Sequence, residues 1–202
     1  SYTVTDSKGC ISPSSAAFSI TVNALPIAGD ITGANEVCVG LTTSLISHPS
    51  GGSGTYSSTI WTSSATSKGT IGASTGVVTG IAGGSTNISY TVTDSKGCIS
   101  PSSAAFLVTV NALPSVPTVT SPTICDGSMA TMTATPAGTY TYTWTVPTGV
   151  TAPGNVNTFT TTKAGTYSVT ITDNNGCTSL GGSGLVTVNA LPSVPTVTSP
   201  TI

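Results

Sequence analysis

Ser89-Tyr-Thr-Val-Thr-Asp-Ser-Lys-Gly-Cys98 occurs twice in this 202-residue chain, the second time at Ser1 to Cys10. A looser version runs Thr166-Tyr-Ser-Val-Thr-Ile-Thr-Asp-Asn-Asn-Gly-Cys177. Each reads as strand, tight turn, cysteine. Ile88, Tyr90 and Val92 alternate with Ser89, Thr91 and Thr93, the period of a strand buried on one face. Asp94-Ser-Lys-Gly97 then has Asp first and Gly fourth, the preference of a type I turn, and Gly97 suits the left-handed position of a bulged hairpin. Asp173-Asn-Asn-Gly176 has the same grammar.

Working outward, the duplication extends from Ser1–Phe18 to Ser89–Phe106. Asn-Ala-Leu-Pro recurs at Asn23–Pro26, Asn111–Pro114 and Asn189–Pro192, and Pro114–Ile124 is repeated at Pro192–Ile202. The repeats divide the chain into residues 27–113 and 114–191, two complete units. Residues 1–26 read as the last strands of a preceding unit, and 192–202 as the first strand of a following one. The expectation is a window on a longer array. Asn-Ala-Leu-Pro, with proline stiffening its own backbone and that of the leucine before it, reads as a stiff joint.

Strands are expected near Thr42–Ser47, Thr59–Thr62, Gly69–Ile71, Val77–Ile81, Thr86–Thr93 and Ala105–Asn111 of the first unit. In the second they fall near Val116–Thr120, Met129–Thr135, Thr139–Val146, Asn157–Thr161, Thr166–Thr172 and Leu185–Asn189. Glycine-rich breaks separate them, and no stretch has helical periodicity with caps. The fold class is therefore all-β, a tandem of two-sheet sandwiches.

Five cysteines are present. Cys38 and Cys98 flank Trp61, and Cys125 and Cys177 flank Trp144. Pairing within units, Cys38 with Cys98 and Cys125 with Cys177, accounts for an odd total. Cys10 then seeks a partner outside the window. A bond closing about 60 residues contributes roughly 4 kcal/mol in the chain-entropy model. It would also place the protein in an oxidising, extracellular setting. The alternative is reduced, buried cysteine. Trp61 and Trp144 are expected in the cores, the alternative being exposed platforms for sugar rings. Tyr90 and Tyr167 resemble the tyrosine-corner position and are expected to be structural.

Trp61 to Asp94 contains Gly76-Val-Val-Thr-Gly80 ahead of the strand at Thr86–Thr93. This pattern resembles bacterial Ig-like domains of group 2. Ala164 to Cys177 resembles the PKD-like and Ig-like repeats of secreted surface proteins from Bacteroidota. The resemblance implies stalks, spacers and adhesive arrays, and it supplies no catalytic residue.

The chemistry-bearing residues are sparse. Charged residues make up 5% and the net charge is −2, so no basic surface for nucleic acid is available. No apolar run is long enough to span a membrane as a helix. His48 is the only histidine, in a loop without a nucleophile. Asp6, Asp30, Glu36, Asp94, Asp126 and Asp173 are scattered singly, so no carboxylate pair or metal cluster is visible, although acids of adjoining units could meet at a joint. No catalytic residue, cofactor or metal is assigned. Asn87-Ile-Ser89 is a glycosylation sequon, and the Ser/Thr-rich outer faces could also carry glycans.

The reading is a non-enzymatic, secreted structural protein: a filament subunit or adhesin stalk that self-associates or continues along a fibre by strand sharing. A glycan- or surface-binding module and the accessory domains of a secreted hydrolase are the alternatives.

Overall fold

The computed structural model describes residues 1–197, which contain strands, turns and loops but no α-helix. In the first unit the strands are β1 (Pro26–Ile27), β2 (Ile31–Gly33), β3 (Glu36–Cys38), β4 (Thr42–Ser47), β5 (Ser50–Gly51), β6 (Tyr56–Ser63), β7 (Gly69–Ile71), β8 (Val77–Gly80), β9 (Gly84–Asp94) and β10 (Phe106–Asn111). The second unit holds β11 (Thr118–Val119), β12 (Thr123–Cys125), β13 (Ala130–Thr135), β14 (Thr141–Thr145), β15 (Thr158–Thr161), β16 (Gly165–Thr172) and β17 (Gly182–Asn189).

The first sandwich packs a β3-β10-β9-β6 sheet on a β2-β4-β8-β7 sheet, with β1 and β5 as a small ribbon. The second packs β12-β17-β16-β14 on β11-β13-β15. The alternation seen in the sequence becomes burial. Ile88, Tyr90 and Val92 point inward and are almost fully buried, joined by Val78, Val108 and Val110. Met132, Tyr167, Val169, Ile171 and Val186 do the same in the second core. Removing such apolar side chains from water stabilises each sandwich by about 1.5–3 kcal/mol per residue.

Trp61 and Trp144 lie inside these cores. Trp61 stacks obliquely on Tyr90 with ring centroids 4.9 Å apart, and Trp144 meets Phe159 edge-on at 4.9 Å. The Trp144 indole N–H donates to the Val156 carbonyl at 2.8 Å, so its one polar atom is satisfied. The Tyr167 hydroxyl donates to the Lys163 carbonyl at 3.0 Å, four residues upstream, as a tyrosine corner requires. The Tyr90 hydroxyl faces the backbone of Gly29 and His48 without a hydrogen-bond partner. Burial raises its pKa against the weaker opposing pull of that backbone.

β1, β2, β3, β5 and β12 have no counterpart among the expected strands. β3 and β12 are three-residue strands that run parallel to the last strand of their own sandwich: Cys38 lies opposite Asn111, and Cys125 opposite Asn189. Residues 1–25, although they repeat the sequence of β9 and β10, form only a turn with one isolated bridge between Thr5 and Ile11. Of the expected strand over 192–202, residues 192–197 form no regular element and 198–202 lie outside the described residues.

Candidate functional site

The chain's one disulfide among the described residues joins Cys38 to Cys177, across the joint between the two sandwiches, with Cα atoms 5.6 Å apart. Cys10, Cys98 and Cys125 are free. This corrects the expected pairs Cys38–Cys98 and Cys125–Cys177. The reason is strand geometry. β9 is antiparallel to β10, and Gly84 is opposite Val110, so Cys38 sits at the Gly84 end of β9. Cys98 lies beyond Asp94, at the other end. Eleven residues of extended strand separate the two ends by roughly 35 Å at about 3.3 Å per residue. A disulfide tolerates about 7 Å between Cα atoms. Cys125 and Cys177 are separated in the same way by the length of β16, because Asn189 lies beyond Gly165 and Cys177 beyond Thr172.

Each sandwich therefore has one cysteine at each pole. The turn cysteine is placed by an aspartate. The Asp173 carboxylate accepts the N–H groups of Asn175 and Cys177, each at 2.9 Å. Asp94 does the same for Lys96 and Cys98, and Asp6 for Lys8 and Cys10. Gly176 and Gly97 adopt φ of 78° and 81°, the left-handed conformation that closes such a turn without a Cβ penalty. Asp94 has one more partner, the Ser53 N–H at 3.0 Å. Desolvation pushes its pKa up, but the N–H donors of Cys98, Ser53 and Lys96 outweigh that and hold it below the usual carboxylate value.

The strand cysteine is placed by the far end of each sandwich. The Val39 N–H donates to the Asn111 carbonyl at 3.0 Å, and the Leu41 N–H to the Cys38 carbonyl at 3.0 Å. Gly80, the last residue of Gly76-Val-Val-Thr-Gly80, lets this segment press inward. A Cβ there would come within 2.6 Å of the Cys38 carbonyl oxygen. The motif quoted for the resemblance thus has a local purpose: its second glycine makes room for the backbone that carries Cys38.

Around the bond, Val39, Gly40, Leu41 and Leu113 of the first sandwich face Gly176 and Thr178 of the second across a shallow crevice. Cys177 is fully buried and Cys38 nearly so. All the substantial strand-to-strand contacts are internal to one sandwich. The joint is held by the Ala112-Leu113-Pro114 linker on one side and the disulfide on another.

The remaining sequence candidates do not converge. His48 is exposed, its ring nitrogen Nε2 2.9 Å from the Thr32 hydroxyl. Asn87 is exposed on the outer face of β9, opposite Leu107. Among the described residues no group of three His, Cys, Asp or Glu could hold a metal ion, and no helix is long and apolar enough to cross a membrane. Sequence reasoning missed the short parallel strands that carry Cys38 and Cys125. The shared Cys-x-Gly at Cys38–Gly40 and Cys125–Gly127 was the available signal for them.

No protein-family model matches the chain, and no curated protein matches it. Solved structures similar to it include fibronectin(III)-like modules of Clostridium thermocellum CbhA, with 15% identity over 84% of this chain and 100% of that one, at a TM-score of 0.35. Murine CEACAM1b is 12% identical over 80% of this chain and 100% of its own, at a TM-score of 0.35. Three N-terminal domains of the bacteriophage RB49 outer capsid protein Hoc are 17% identical, covering 81% of this chain and 59% of theirs, at a TM-score of 0.34.

Proposed function

We propose that the chain is part of a non-enzymatic extracellular structural protein, a repeat-built filament subunit or adhesin stalk. The observation that carries this reading is the Cys38–Cys177 bond across the joint. The Ala112-Leu113-Pro114 linker fixes the joint at one side only. A covalent bond on a second side of the joint restrains both bending and twisting, which is the property a rod needs. Persistent disulfides belong to oxidising compartments, which supports secretion.

The domain limits that follow are 27–113 and 114–191, with 1–26 supplying the closing strands of another sandwich. Val4, Ile20 and Val22 are 60%, 78% and 90% exposed, whereas their sequence equivalents Val92, Val108 and Val110 are buried. Docking these three onto a complementary set of strands is worth roughly 2 kcal/mol per side chain before the ordering cost. Strand addition of this kind is the route by which units join into a fibre. Glycans on Asn87 or on the exposed Thr and Ser faces would keep so weakly charged a surface in solution.

The burial of Trp61 and Trp144 leaves a sugar-binding reading without its two aromatic platforms. Electron microscopy of the native, full-length particle tests the structural reading. Rods or filaments one sandwich wide are expected. Compact, dispersed monomers at native concentration would contradict it.

A further inference from the structure

We infer that the Cys38–Cys177 bond is one of a series: each joint is closed by a disulfide from the strand cysteine of one sandwich to the turn cysteine of the next, and Cys125 and Cys98 are the open halves of two further joints. This inference rests on the reading of the chain as a repeat-built structural module.

Cys125 shares the backbone setting of Cys38 at four points. Both end a parallel strand opposite the asparagine of Asn-Ala-Leu-Pro. The residue after each donates its N–H to that asparagine's carbonyl, Val39 to Asn111 at 3.0 Å and Asp126 to Asn189 at 2.8 Å. Each cysteine carbonyl accepts from the residue three positions on, Leu41 and Ser128, both at 3.0 Å. Gly40 and Gly127 turn the chain between them with φ of 82° and 80°.

Cys98 reproduces Cys177 equally closely. Each follows an Asp-x-x-Gly turn, donates its N–H to the aspartate Oδ1 at 2.9 Å and precedes an isolated bridge, Thr93 to Ile99 and Thr172 to Thr178. What separates the bonded pair from the free pair is the neighbour. Cys38 and Cys177 face another sandwich and are buried; Cys125 is exposed and Cys98 half-buried. The linker also recurs, since Asn23–Pro26 precedes the first sandwich and Asn189–Pro192 follows the second. An identical linker between identical poles reproduces the joint.

The arrangement is polar. In a head-to-tail array a strand cysteine meets only a turn cysteine. Cys10, a turn cysteine by its Asp6 hydrogen bonds, therefore does not pair with Cys98. Closing a joint converts two thiols to one S–S bond. The two electrons and two protons pass to an oxidant of the disulfide class, such as oxidised glutathione, which leaves as two thiols. The neighbouring cysteine belongs either to the same chain or to a second copy; its chemistry and polarity are the same.

The test is a disulfide map of the native full-length protein, recovered without reductant and with free thiols alkylated before digestion. The Cys125 peptide is expected to be linked to an Asp-x-x-Gly-Cys peptide, and the Cys98 peptide to a Cys-x-Gly strand peptide. Trypsin leaves Cys10 with Cys38 in residues 9–68 and Cys98 with Cys125 in residues 97–163, so fragment-ion sequencing of each linked peptide assigns the bonded cysteine, and Ser19 against Leu107 tells the two peptides apart. Non-reducing electrophoresis distinguishes the sources. A single-chain band marks partners in the same chain, and a ladder that collapses on reduction marks a second copy. Recovery of Cys98 or Cys125 as alkylated thiols, or linkage of two turn cysteines, would overturn the inference. Filaments seen together with alkylated Cys98 and Cys125 would overturn it while leaving the structural reading in place.

Discussion

Tyr2 and Tyr90 occupy the same position in two identical eighteen-residue stretches, yet Tyr2 is 72% exposed and Tyr90 is 1% exposed. Their local sequences and turns are the same, so the difference lies wholly in what the rest of the molecule provides. Tyr90 has the opposing sheet and Trp61 to pack on. Tyr2 has neither. The pair is an internal control for how much of this fold is local and how much is tertiary.

Limited trypsin digestion should read that control directly. Lys8–Gly9 and Lys96–Gly97 sit in the same Asp-Ser-Lys-Gly-Cys sequence, with the same two aspartate-capped N–H groups. Cleavage demands local opening, and opening around Lys96 must also disturb β9. Cutting after Lys8 is therefore expected at least about ten times faster than after Lys96, since roughly 1.4 kcal/mol of extra opening cost is a factor of ten. Equal rates would show that residues 1–25 are held as firmly as β9 and β10.

Breaking the joint should loosen it without unfolding its neighbours. Each core is complete without the disulfide, so Cys38→Ser is expected to leave the β-sheet circular dichroism unchanged. Small-angle scattering should show a broader distribution of interdomain distances, and Cys177→Ser should behave the same way. Cys98→Ser should change neither observable in the isolated chain. A global loss of sheet signal in Cys38→Ser would mean that the bond supports a core and not a joint.

Asp94 should couple the first sandwich to pH. Its folded-state pKa is depressed, so its contribution is fully present above the unfolded value of about 4. That contribution falls away as pH drops through the folded value. Asp94→Asn is expected to lower the melting temperature of the first sandwich at neutral pH and to flatten its acid dependence, with the second sandwich unaffected. Thermal melts from pH 7 down to pH 2 check this. An unchanged acid slope in the variant would remove Asp94 from the account.

Gly76 is a position against the first core with no room for a side chain. Its φ is 69°, and a Cβ there would lie 2.7 Å from the Leu45 carbonyl oxygen and 3.3 Å from the Trp61 ring. Gly76→Ala combines left-handed strain with that close approach and is expected to cost about 1–3 kcal/mol. Chemical denaturation with Trp fluorescence should report it in the first sandwich alone. A change within about 0.5 kcal/mol, the range of an ordinary surface substitution, would contradict the geometry.

The long strands were legible because their chemistry is periodic. Thr86–Thr93 alternates cleanly and lies within β9, and Val77–Ile81 matches β8 to within a residue. Trp61, Trp144 and Tyr167 are buried, and the order of Cys and Trp along each unit, not a period, was the signal for the two tryptophans. The short strands stayed hidden, β3 and β12 among them. Three residues have no period to read, and parallel pairing to the last strand is decided by long-range contacts. Those short strands carry Cys38 and Cys125 to the pole opposite Cys98 and Cys177. Missing them turned a bond between sandwiches into an expected bond within each. An odd cysteine count is satisfied equally by either scheme, so counting could not choose.

The most direct measurement is the disulfide map of this 202-residue chain, folded under oxidising conditions and digested without reduction. The account predicts a peptide pair linked through Cys38 and Cys177, with Cys10, Cys98 and Cys125 recovered as alkylated thiols from the monomer. Recovery of Cys38 linked to Cys98, or of Cys125 linked to Cys177, would contradict it.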